Sequence, residues 1–230
     1  MNNVALLLLT DSRFPAGTHA HSSGLEAAVR ADQVTGIEEL ESFLRGRLAT
    51  AGPVTAAFAA AAFLAVEAGT LCRPDADGAG TLCELDAELD ARTPSPALRL
   101  VSRRQGRALV RAARATWPAP HYDRLPEGPH HPVALGVTGA AAGLTVEQTA
   151  LAAAYGVVTV PAGAAVRLLG LDPYQVQHLL ARLADACATV TSSAVAAAGK
   201  APAELPAHTA PLTDISAELH ATWEVRLFAS

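Results

Sequence analysis

Aromatic residues are scarce: they make up 4% of a 230-residue chain that is 50% hydrophobic overall. No run alternates β-branched or aromatic residues with polar ones, so nothing reads as a half-buried strand. There is no glycine-rich phosphate loop, no nucleophile elbow and no His-Glu-x-x-His helix. Those gaps remove the common signatures of nucleotide binding, acyl transfer and zinc proteolysis. Cysteine is limited to three residues. With Cys72 and Cys83 in a Gly/Asp-rich segment and Cys187 in an apolar helical pattern, the odd count points to thiols kept reduced in a cytoplasm. No basic region precedes the apolar run 4–9 and no small-residue cleavage site follows it, so no secretion signal is expected. The net charge of −5 weighs against a nucleic-acid partner. Residues 149–166 are uncharged and long enough to span a bilayer. They hold Gly156, Pro161 and Gly163 among alanine and valine, which reads as a buried helix rather than a membrane span.

What is abundant is alanine, the residue of highest helix propensity, and the sequence reads as all-α in a single domain. Residues 37–49 set Ile37, Leu40, Phe43, Leu44 and Leu48 along one face. Gly52-Pro53 separates them from 54–68, which is apolar nearly all round and so belongs at the centre. Residues 69–83 read as a flexible insert. A short acidic helix with Glu84, Asp86, Glu88 and Asp90 follows. Between 97 and 117 the charge reverses, with Arg99, Arg103, Arg107 and Arg111 in line and Arg104 and Arg114 beside them. That stripe is a solvated face partly neutralised by the acidic helix, a strip for docking an acidic partner or, third, a phosphate-binding surface. The loop 118–132 carries His121, His130 and His131. Gly136, Gly139 and Gly143 point to close backbone approach. Residues 174–198 read as one long helix, 200–211 as a linker and 213–223 as a short amphipathic helix.

Two stretches stand out against this background. The first is the loop Asp11-Ser12-Arg13-Phe14-Pro15-Ala16-Gly17-Thr18-His19-Ala20-His21-Ser22-Ser23-Gly24-Leu25-Glu26. Pro15 and Gly17 stop the preceding element, and Ser22 or Ser23 can cap the next helix, with Glu26 completing a capping box if Ser23 is the cap. So many polar groups in one loop need partners from the far end of the chain or from another chain. The second stretch is the C-terminal tail, where Trp223, Leu227 and Phe228 surround Arg226. Chain ends are ordinarily frayed and polar, so an apolar one implies docking, and an arginine there offers several donors to carbonyls or a carboxylate. His19 and His21 can also be read as two imidazole ligands for nickel or zinc, with Asp11 or Glu26 as a further ligand.

Taken together, these stretches resemble the UreF family of urease accessory proteins, particularly its short actinobacterial type. The resemblance rests on residues 7–29 with the pattern just quoted, on Arg99-x-x-Ser102-x-x-x-Gly106-Arg107, on His131-Pro132-Val133-Ala134-x-Gly136 and on Ala165-Val166-Arg167-Leu168. The closing pattern, Asp214-Ile215 through His220 to Arg226-Leu227-Phe228-x-Ser230, matches as well. The matches span almost the whole chain in the family's order, apart from residues 75–86.

The resemblance implies an all-α, single-domain bundle of about ten helices, dimeric and cytoplasmic, with no catalytic residues and no cofactor of its own. It implies a chaperone and scaffold between UreD (also called UreH) and the GTPase UreG, on the route that inserts nickel into apo-urease, with a possible influence on GTP hydrolysis. No nucleic acid or membrane enters that role. The tail would lie against the first loop and help form the UreG docking surface. Carried onto this chain, the partner-contacting residues are Pro15, Gly17, His21, Ser22, Gly24 and Glu26, together with His220, Arg226, Phe228 and Ser230. Arg226 would be the clamp on the loop near His21. The chain departs from the family in having His19 and His21 where many members carry aromatics, and Ala221 where many carry glutamate. The rival reading from the residues alone is a small helical metallohydrolase built on His19 and His21.

Overall fold

The structure, a computed structural model, describes residues 2–72 and 80–228. Among these residues there are ten α-helices and no strand. The helices are α1 (Asn3–Thr10), α2 (Leu25–Arg30), α3 (Ile37–Glu67), α4 (Thr81–Arg92), α5 (Pro96–Thr116), α6 (His131–Ala141), α7 (Val146–Leu169), α8 (Pro173–Arg182), α9 (Ala184–Ala197) and α10 (Pro211–Ala221). Their starts follow local chemistry. Ser95 accepts from Leu98 N ahead of Pro96, and Asp172 accepts from Tyr174 N ahead of Pro173. Thr145 and Gln148 form a reciprocal capping box on α7, which ends at Gly170 in the left-handed region.

Helices α3 and α7 form the spine, with α6 and α9 packed along them. The N-terminal half of α3 contributes Leu40, Leu44 and Leu48 to one core, which also holds Leu25, Val158, Leu179 and Leu183. Its C-terminal half contributes Phe58 and a run of alanines to a second core with Leu82, Leu109 and Val133. Alanine lets backbones come close. A Cβ at Gly136 of α6 would collide with the Ala59 carbonyl of α3, so the glycine there is required by the approach of the two helices. Helices α3 and α7 are each long and apolar enough to cross a membrane by length and composition, and 61% of each apolar window is buried within the fold.

The structure corrects several boundaries. The expected break at Gly52-Pro53 does not occur: α3 runs through it as one 31-residue helix. An interior proline costs a helix roughly 3 kcal/mol, but the two halves of α3 are anchored in two different cores, and that burial outweighs the lost hydrogen bond. Conversely, the expected single helix 174–198 is two, α8 and α9, bent by 45° at the fully buried Leu183. The bend wraps Val176, Leu179 and Cys187 onto one core. Cys72 and Cys83, expected as free thiols, are joined in a disulfide with Cα atoms 5.5 Å apart. Of the expected insert 69–83, residues 73–79 lie outside the described residues, and 81–83 already belong to α4. The expected linker at 200–211 runs along α4, where Arg92 Nη2 donates to the Ala203 carbonyl at 2.9 Å.

Candidate partner-docking site

The first loop is shaped by left-handed residues. Gly17 (φ +75°) turns the chain into the short 3₁₀ turn Thr18–Ala20, and Ser23 (φ +54°) and Gly24 (φ +88°) turn it again into α2. The cap position of α2 is Gly24, with neither Ser22 nor Ser23 there, and buried Ser22 Oγ accepts from Glu26 N at 3.3 Å from further back in the loop. The capping box expected with Ser23 therefore does not form. Glu26 points elsewhere.

It points at the C-terminus. Glu26 Oε1 accepts from Leu227 N at 2.8 Å, and Oε2 accepts from Phe228 N at 3.1 Å. His220 Nε2 lies 2.9 Å from Oε2, the geometry of an imidazole N–H donating to a carboxylate. Burial alone would raise the Glu26 carboxyl, but the Leu227 N–H, the His220 ring and the Phe228 N–H hold it below the ordinary glutamate value. Phe228 is buried in the same core as Leu25, with the Arg167 guanidinium 4.3 Å from its ring centre. Arg167 Nη2 also donates to the His19 carbonyl at 2.7 Å. Arg30 lies 4.2 Å over Trp223, which packs in turn on His220 at 4.6 Å. One carboxylate thus gathers a loop, the end of α10 and the tail.

Helix α10 is fastened from its other side. Ser95 Oγ donates to Glu218, whose Oε1 also accepts from Ala97 N at 2.9 Å at the start of α5. The buried face of α10 carries Ala217 and His220. Its opposite face presents Leu212, Ile215 and Leu219, 74%, 58% and 59% exposed, at the three- and four-residue spacing of one helical stripe. Val225 and Leu227 of the tail are exposed as well.

The expected site residues divide into two sets. His21, Ser22, Gly24, Glu26, His220 and Phe228 are buried and build the junction, while Pro15 and Arg226 are exposed and Gly17 is half-buried. Arg226, expected as the clamp, makes no hydrogen bond or ion pair among the described residues. The clamping is done by Glu26, and the arginine that reaches the loop is Arg167. Ser230 lies outside the described residues. The metal candidates do not converge: His19 is exposed and His21 buried, Asp11 pairs with Arg13 at 2.7 Å, and Glu26 is occupied by the tail. No group of three or more His, Cys, Asp or Glu residues able to hold a metal ion occurs among the described residues. The arginine stripe is partly neutralised: Arg99 and Arg103 pair with the acidic helix and Arg114 with Asp123, while Arg104, Arg107 and Arg111 make no ion pair among the described residues. Arg103 bridges Asp86 at 2.9 Å and Asp90 at 2.6 Å, and His130 sits between Ser102 and Asp90 in the same network.

Sequence reasoning missed Arg167, Arg30 and the stripe Leu212-Ile215-Leu219. The stripe was legible as apolar residues spaced by three and four in a segment read only as short and amphipathic. Arg30 carried no local signal, and Arg167 stood out only as part of the stretch Ala165-Val166-Arg167-Leu168.

Fold and site together define an all-helical protein whose two chain ends close on a buried carboxylate to present an aliphatic surface. The UreF family model matches residues 34–184 of this chain. Similar proteins named urease accessory protein UreF include one from Mycobacterium sp. (strain JLS), 47% identical over 98% of this chain and 97% of its own. The one from Mycobacterium marinum is 47% identical over the full length of both, and that of Mycobacterium tuberculosis (strain H37Rv) is 44% identical over 85% of this chain and 87% of its own. The chain belongs to the UreF family.

Proposed function

We propose that this chain is a cytoplasmic urease accessory protein that acts through surfaces rather than through a reaction of its own. It links a UreD-type (UreH-type) scaffold to a UreG-type GTPase, and through them it serves nickel insertion into apo-urease. The GTP chemistry belongs to the GTPase, and the composite patch orients that protein and tunes its hydrolysis. The chain works as a homodimer within that assembly. The observation that carries this reading is the Glu26 junction. Together with the burial of Phe228 it orders an apolar chain end, and it leaves Leu219, Val225 and Leu227 exposed.

Deleting residues 225–230 is expected to abolish co-purification of the UreG-type GTPase with the UreD-containing complex while leaving the far-ultraviolet circular dichroism of the helices unchanged. Undiminished capture by the truncated chain would refute the reading.

A further inference from the structure

A groove of about 890 Å³ opens between the first loop and helices α3, α5, α7 and α8. Its walls include the aliphatic side chains of Leu9, Val54, Val160 and Leu180. Arg47 of α3 lines it too. The residues three and four positions away on the same helix are Phe43, Leu44, Thr50 and Ala51, none of them acidic. Among the described residues the Arg47 guanidinium makes no ion pair and no hydrogen bond, and its Nε is fully shielded from solvent. Burial pulls its pKa down to about 10, which leaves it cationic at neutral pH. Two carboxylates line the groove: Asp11 is engaged by Arg13, and Asp214 of α10 makes no ion pair with Arg47.

We propose that the groove seats an apolar segment of a partner protein and that Arg47 anchors it through one aspartate or glutamate carboxylate of that segment. The proposal rests on the scaffold reading above. A half-buried guanidinium whose Nε has neither water nor a partner, and which has no counter-charge, is costly in the free chain, and a carboxylate arriving with an apolar segment accepts two parallel N–H···O bonds from it. A small inorganic anion is a poorer occupant, because phosphate sites gather several free donors or a helix N-terminus, whereas of the three arginines lining the groove Arg92 is engaged by Glu88 and the Ala203 carbonyl and Arg167 by the His19 carbonyl, which leaves Arg47. Arginine within an apolar surround is also the composition of interface positions that dominate affinity.

The test is the affinity of the full chain for purified UreD-type and UreG-type proteins, singly and together, in wild type, Arg47→Gln and Arg47→Met. The expected result is a loss of at least about thirtyfold for one partner in both variants. In that partner, one Glu→Gln or Asp→Asn change should cost nothing further once Arg47 is gone. The same variants should melt at or above the wild-type temperature, since a half-buried charge with no counter-charge has been removed. Affinity within twofold of wild type overturns the inference while leaving the scaffold reading intact. So does a loss that couples to no partner carboxylate, competition by millimolar inorganic phosphate instead, or a defect confined to self-association. Failure of the wild-type chain to bind either partner overturns both.

Discussion

At the scale of single residues, three buried or half-buried groups give the molecule a readable pH dependence. Burial, reinforced by the nearby positive charge of His21 when protonated, lowers His131 to about 4 from its ordinary 6.5. The unfolded chain takes up this proton near 6.5, while the folded chain refuses it until about 4. Stability therefore falls as pH drops through that window, by up to roughly 1.4 kcal/mol per pH unit for this one site. His130, also lowered by burial, adds to the slope. Glu26 works in the same sense and lower down. Its depressed pKa means that its contribution is present above the ordinary glutamate value of 4.5 and is lost as pH falls below it. Urea midpoints measured between pH 7 and 4 should show a shallower slope in His131→Gln than in wild type. Parallel slopes would place the proton uptake on other groups.

Among the elements, contact between helices depends on what is missing from them. A methyl group at Gly136 would meet the Ala59 carbonyl of α3 and the nearby Ala62 side chain. Since backbone cannot yield as a flexible side chain does, Gly136→Ala is expected to destabilise by about 1–3 kcal/mol despite its better helix propensity. Thermal or chemical melting checks this, and a gain in stability would mean that α3 and α6 stand further apart. The same closeness explains the uninterrupted course of α3. Its proline is tolerated because Gly52 and its neighbours are held against α9 (Val190 lies about 3.5 Å from where a Cβ of Gly52 would be). Local signals predicted a break, and tertiary packing overrode them. The bend at Leu183 is the converse case. Periodicity over 174–198 was continuous, but the core into which it points is curved.

For the whole molecule, helical content, the acidic and basic helix pair and the docking of the tail were legible in the sequence, because each has a local signature in composition or spacing. What joins the tail to the loop was not. Glu26 and Phe228 are 202 residues apart, and no local pattern says which carboxylate receives which amides. Arg226 is the conspicuous polar group of the tail, so attention falls on it, yet the backbone amides beside it make the bonds. Arg47 was hidden for a related reason: an arginine in an amphipathic helix reads as a surface residue until the fold half-buries it and pairs it with no acid. Both surprises concern charges whose meaning depends on distant neighbours.

The central claim is that Glu26 holds the tail in place and that partners recognise the patch so formed. The most direct test is capture of the UreD-type and UreG-type proteins by full-length Glu26→Ala. The substitution leaves the Leu227 and Phe228 amides and the His220 ring without their acceptor, at a cost of roughly 2–3 kcal/mol. The account predicts a helical, folded chain whose GTPase capture falls by at least ~30-fold. Wild-type capture by the folded variant would contradict it.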